Sequence, residues 1–184
     1  MKKYEILMDE VNTIEYKGRT LYRIKALRNF GDVTKGDIGG FIQHEDNLSH
    51  DGNCWIYDDA KAMGNSMVCD DSAMYDNSSM CDNAVMYDNA VMCDNALMFD
   101  NAVMLDNSSM YNNAVMLDSA VMHDNSIMFD NAVMCDNSAM YDNAVMFDNS
   151  KMYDNAVMLD NSRMYDKSVM NGNSELTGNS ELYI

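Results

Sequence analysis

Met98-Phe99-Asp100-Asn101-Ala102-Val103-Met104 is one period of a hexad that brings a methionine to every sixth position from Met74 to Met170, seventeen times in succession. A period of six fits neither the 3.6-residue stripe of an amphipathic helix nor an uninterrupted two-residue alternation. It fits a short strand followed by a corner, wound as a coil. The register extends outward without insertion, from Ile56 through Ala62 and Val68 at one end to Leu176 and Leu182 at the other. Alternate side chains of a strand share a face, so an inward Met places the Ala or Ser two residues earlier inside as well. The position just before Met accepts Lys61, Lys151, Arg163, Glu175 and Glu181. A dry core would penalise those charges, so that position faces out.

The Asp-Asn pair marks the corner. Asn tolerates the left-handed backbone, and an Asp side chain bonds readily to a backbone group two residues on, so the pair predicts a tight turn in every hexad. Gly64, Gly172 and Gly178 stand in for Asp where more freedom is needed. Stacked Asn77, Asn95 and Asn113 predict an amide ladder up the coil.

Three strands per coil would make the structural repeat eighteen residues. At that spacing the outward position after Met reads Tyr57, Tyr75, Cys93, Tyr111, Phe129, Phe147, Tyr165 and Tyr183. This predicts one aromatic face, with Tyr75, Tyr111, Phe129, Phe147 and Tyr165 as candidate partner-binding residues. The corner Asp residues fall into columns at the same spacing. One holds Asp70, Asp88, Asp106, Asp124, Asp142 and Asp160; a second holds Asp82, Asp100, Asp118, Asp136 and Asp154; Asn112 interrupts the third.

Charge is placed unevenly. Residues 1–50 carry eight basic and eight acidic side chains, residues 51–184 four and twenty-two, so the whole net charge of −18 lies on the repeat. With rungs about 4.8 Å apart and three corners each, charges recur about every 1.6 Å of axis, against about 1.7 Å in duplex DNA. This sign excludes nucleic acid and anionic membrane as direct partners and favours a basic protein surface, such as that of a nucleic-acid-binding protein. No apolar run is long enough to cross a bilayer, the N-terminus leads into no signal segment, and the five cysteines show no C-x-x-C spacing. A cytoplasmic protein with reduced thiols is expected.

Residues 1–50 are expected to form a separate small β cap or binding element ahead of the acidic repeat of residues 51–184. Lys3 to Met8, Thr13 to Tyr16 and Thr20 to Ala26 are strand-like, Lys17-Gly18-Arg19 is a hairpin turn, and the glycines at 31, 36, 39 and 40 mark loops. Trp55, the single tryptophan, sits where the repeat begins and is expected to pack the cap on the first coil. At the other end Leu182, Tyr183 and Ile184 present an apolar strand edge, which predicts a homodimer through the C-terminal coil.

Met86 with Ala90, and Met98 with Ala102, pair an inward apolar residue with a small one four later. In this they resemble the hexads of hexapeptide-repeat left-handed β-helix proteins over residues 51–184. The resemblance implies an all-β fold: a single-stranded, triangular, left-handed parallel β-helix, or β-solenoid, with three hexads per coil. Gly36-Asp37-Ile38-Gly39-Gly40-Phe41-Ile42 and Gly52-Asn53-Cys54-Trp55-Ile56-Tyr57-Asp58 resemble the leading part of uncharacterised bacterial and phage proteins that run on into such repeats, which implies a mobile-element origin.

Reactive groups are few. Inward thioethers could store Cu(I), but flexible Met packed with Ala and Ser is the simpler core. His44, His50 and His123 are the only imidazoles, and His123 falls on a flat outward position in an unbroken run. Acyltransferases of the family resembled hold their histidine base in a cleft between subunits. No G-x-S-x-G, P-loop or H-E-x-x-H is present. The expectation is therefore a non-enzyme with no catalytic residue, cofactor or metal. It would bind a macromolecule through its Asp columns, as an inhibitor that mimics nucleic-acid charge against a defence protein. The alternatives are a scaffolding or oligomerisation module, a hexapeptide-type acyltransferase, and a carrier of divalent cations along the Asp columns.

Overall fold

The computed structural model describes residues 2–184, in which two single-turn 3-10 segments, Glu10–Asn12 and Glu45–Asn47, are the only helical elements among the described residues. Each hexad contributes a two-residue strand that pairs in parallel with the strand three hexads on. Val85–Met86 lies beside Val103–Met104, and that strand beside Val121–Met122. Three hexads thus make one coil, three sheets run along the rod, and about eight coils stack into a β-solenoid.

Pairing between coils continues through the corners. The Tyr111 amide donates to the Met128 carbonyl at 3.0 Å and the Asn113 amide to the Asp130 carbonyl at 2.8 Å, while the Ala114 amide closes the turn on the Tyr111 carbonyl at 3.2 Å. Backbone groups that a bend would otherwise orphan are satisfied by the next coil. Inside, all seventeen methionines from Met74 to Met170 are buried, Met170 being the most exposed at 4%. Burying each side chain contributes about 1.5–3 kcal/mol. The small inward residue is Ala or Ser. Ser72, Ser78 and Ser138 donate to the carbonyl three residues back at 2.6, 2.8 and 2.8 Å, whereas the buried hydroxyls of Ser66, Ser108, Ser126, Ser150, Ser162 and Ser168 have no partner.

The corner differs from expectation in which residue bends and where its side chain bonds. Asp, not Asn, holds the left-handed backbone, with φ of 58° at Asp100, 56° at Asp106 and 59° at Asp118. Its carboxylate accepts the backbone N–H of the corner residue one coil on, rather than two residues on: Asp118 N donates to Asp100 Oδ2 at 3.5 Å and Asp136 N to Asp118 Oδ2 at 3.3 Å. This bond helps offset a left-handed φ that costs an L-residue about 1–2 kcal/mol. Asn occupies the next position and builds the ladder, which runs unbroken from Asn89 through Asn107, Asn125, Asn143 and Asn161 to Asn179 at 3.2–3.3 Å. In the column of Asn77, Asn95 and Asn113, one such bond, from Asn113 to Asn131 at 3.5 Å, forms among the described residues.

At the N-terminal end, β1 (Tyr4–Leu7) and β2 (Thr13–Tyr16) pair antiparallel with successive halves of one edge of β3 (Arg19–Ala26). The next strand, β4 (Ile38–Ile42), is antiparallel to β3 and parallel to the solenoid strand Lys61–Ala62, so one eleven-stranded sheet runs from these elements into the rod. Gly39 and Gly40 therefore lie inside a strand and not in a loop. They admit close approach: a Cβ on Gly40 would fall 2.5 Å from the Ala60 carbonyl oxygen, and one on Gly39 2.6 Å from the Trp55 ring. Trp55 is 1% exposed and meets Tyr4 and Phe30 edge-on at 6.2 and 5.4 Å. The β2–β3 hairpin lies along the outside of the first coils, burying Met63 with Leu21 and Phe41, while Arg19 reaches Asp82 at 3.5 Å. All five cysteines are free thiols.

Candidate functional site

The Asp columns stand on the ridges between sheets. In the first, Asp88, Asp106, Asp124, Asp142 and Asp160 each donate a backbone N–H to the carboxylate one coil earlier, at 3.4, 3.4, 3.4, 3.2 and 3.1 Å. Gly178 N continues the line to Asp160 at 2.9 Å. In the second column the N–H groups of Asp118, Asp136 and Asp154 donate to the carboxylates of Asp100, Asp118 and Asp136, and Gly172 N donates to Asp154 at 2.9 Å. Each carboxylate is thus fixed by one oxygen in a row of like charges. Asn112, in the third column, keeps the left-handed φ of 59° and donates from its amide to Asp130 at 3.0 Å, which shows that the corner accepts an uncharged isostere.

The aromatic positions form two stacks. Tyr57 lies on Tyr75 with ring centroids 4.4 Å apart, and Phe129, Phe147, Tyr165 and Tyr183 follow at 5.1, 5.1 and 4.9 Å with interplanar angles of 4, 14 and 12°. Cys93 and the exposed Tyr111 stand between the stacks. Burial and the Glu181 carboxylate, which accepts from the Tyr165 hydroxyl at 3.0 Å, push the Tyr165 phenol up to about 12. At the last coil Leu182 is partly buried against the core, while Tyr183 and Ile184 are 59% and 85% exposed.

His123 is the departure that sequence reasoning undervalued. Its ring is not simply solvated on a flat face. Nδ1 is shielded from solvent and lies 2.8 Å from Asp106 Oδ2 and 3.2 Å from Asp124 Oδ2, beside the tilted ring of Tyr141 at 5.9 Å. The eighteen-residue repeat carried the signal, because it sets His123 between two members of the first column. Despite these short approaches Nδ1 has no hydrogen-bond partner.

No family model matches the chain. It is similar to a protein of Escherichia coli (strain K12) named uncharacterized acetyltransferase YdcK, 41% identical over 64 residues, a stretch that is 32% of this chain. The chain spans about a fifth (19%) of that relative's length. The likeness overturns the expectation of a chain without catalytic activity. That expectation rested on missing motifs and on a seemingly featureless histidine. Acid–base chemistry, however, needs an imidazole within reach of the substrate and no sequence signature.

Proposed function

We propose that the solenoid works as a docking rod whose acidic ridges engage a basic surface on a macromolecular partner. The observation that carries this reading is the pair of tied Asp columns: the carboxylates are held in register by backbone N–H groups, so a partner meets a preorganised row of charge. Duplex-like charge spacing makes a protein that normally grips nucleic acid the fitting class of partner. The test is capture of a partner by the full chain, followed by salt titration and competition with duplex DNA. Displacement by DNA and by salt supports the reading, as does weakened binding of the Asp100→Asn, Asp118→Asn, Asp136→Asn variant. A complex indifferent to all three discards it.

A second reading, acyl transfer, is favoured by His123 and by the likeness to YdcK. Here Nε2 would take a proton from an acceptor hydroxyl or amine as that group attacks the thioester carbonyl of an acyl donor, and would pass it to the thiolate that leaves when the C–S bond breaks, with the Asp106 carboxylate beside the ring, 2.8 Å from Nδ1. Thiol release from acetyl-CoA in the presence of simple acceptors checks it. A rate equal in the wild type and in His123→Leu removes His123 from that role.

A further inference from the structure

We infer that Asp106, His123 and Asp124 form a binding site for a divalent transition-metal ion such as Zn²⁺. One donor atom from each lies within 4.8 Å of the others. Around a metal with bonds of about 2.0–2.2 Å, neighbouring donors sit about 3 Å apart. The Nδ1 separations of 2.8 Å from Asp106 and 3.2 Å from Asp124 already have that spacing. Nδ1 is closed off from solvent yet makes no well-aligned hydrogen bond to either carboxylate, so it is a buried nitrogen lacking the partner its surroundings should supply.

Two features set this rung apart from the rest of the Asp column. The equivalent position on neighbouring coils is Leu105, Tyr141 and Leu159, so no other rung of that column adds a nitrogen. Both donor oxygens are also positioned by the backbone: Asp106 Oδ2 accepts the Asp124 N–H at 3.4 Å and Asp124 Oδ2 accepts the Asp142 N–H at 3.2 Å, which leaves a second lone pair on each oxygen for an ion. Such support orients ligands before the ion arrives. A mixed nitrogen and carboxylate set selects Zn²⁺-class ions over Mg²⁺ and Ca²⁺, which prefer oxygen alone. Three protein donors leave a coordination position open. The site rests on the geometry of this rung and is compatible with the docking reading; a metal on Nδ1 leaves the imidazole proton on Nε2, so it excludes His123 as the acyl-transfer base.

The test is calorimetric titration of the chelator-treated full chain with ZnCl₂ and, separately, MgCl₂. One Zn²⁺ per chain is expected, bound at least tenfold more tightly than Mg²⁺. His123→Leu, which copies the natural Leu105 and Leu159 of the same column, and Asp106→Asn should each weaken Zn²⁺ at least tenfold. Zn²⁺ should also raise the wild-type Tm and leave that of His123→Leu unchanged. No saturable Zn²⁺ uptake, undiminished affinity in His123→Leu, or Mg²⁺ binding as tightly as Zn²⁺ would overturn the assignment.

Discussion

A corner Asp supplies a side chain that survives a left-handed φ and a carboxylate that caps the N–H one coil up, and each can be removed separately. Asp118→Asn keeps the backbone preference, as the natural Asn112 does with its φ of 59°, and retains a carbonyl oxygen in place of the carboxylate, so it should change stability by less than about 0.5 kcal/mol. Asp118→Ala loses the preference and the acceptor, leaves the Asp136 N–H unpaired, and should cost about 1–3 kcal/mol in urea unfolding. Inside the rod the inequality runs the other way. Ser126 buries a hydroxyl with no partner, while Ala144 fills the same place one coil on, so Ser126→Ala should be neutral or stabilise by about 1 kcal/mol. Sequence showed that Asp and Asn share the corner but not which one bends. Both residues tolerate left-handed backbone, and the deciding bond joins residues eighteen apart.

The two-residue strand was legible because its neighbours are copies of itself: phase, inward face and eighteen-residue pairing all follow from one hexad. The β1, β2 and β3 strands were legible from alternation and from the Lys17-Gly18 turn. The β4 strand was not, since its glycines read as punctuation until the structure placed Trp55 and the Ala60 carbonyl against them. Its parallel pairing with Lys61–Ala62 makes this strand the joint between the N-terminal elements and the rod. Gly40→Ala would drive a methyl into the Ala60 carbonyl oxygen, at 2.5 Å, and should destabilise the joint by about 1–3 kcal/mol or more. Because coils contact only their neighbours, the loss should be local. Hydrogen exchange should show lost protection in β1 to β4 and retained protection from Val103 onward; uniform loss would mean that the chain unfolds as one unit.

Over the whole molecule, the regularity that builds the core also concentrates titratable groups. Burial pushes the thiols of Cys69 and Cys93 up to about 11 and that of Cys81 to about 12, from ordinary values near 9. The folded state therefore holds these protons more tightly than the unfolded chain. Their contribution is complete below pH 9 and is lost as pH rises toward 11–12, so Tm should fall on the alkaline side, and less steeply in a Cys81→Ala, Cys93→Ala variant. The carboxylate columns respond to salt instead. Two unit charges about 4.8 Å apart repel by about 1 kcal/mol in water, and each added coil brings another such pair in a column. The N–H bonds to Oδ2 offset part of that repulsion without screening it. Raising NaCl from 0.01 to 1 M shortens the screening length from about 30 to about 3 Å, below the rung spacing, and should raise Tm. Asp100→Asn, Asp118→Asn, Asp136→Asn should flatten that rise. The same repulsion is the free energy that a cationic partner relieves on docking, so partner affinity should fall over the salt range in which the isolated rod gains stability. A Tm independent of salt would mean that the tied carboxylates carry no stored repulsion for a partner to relieve.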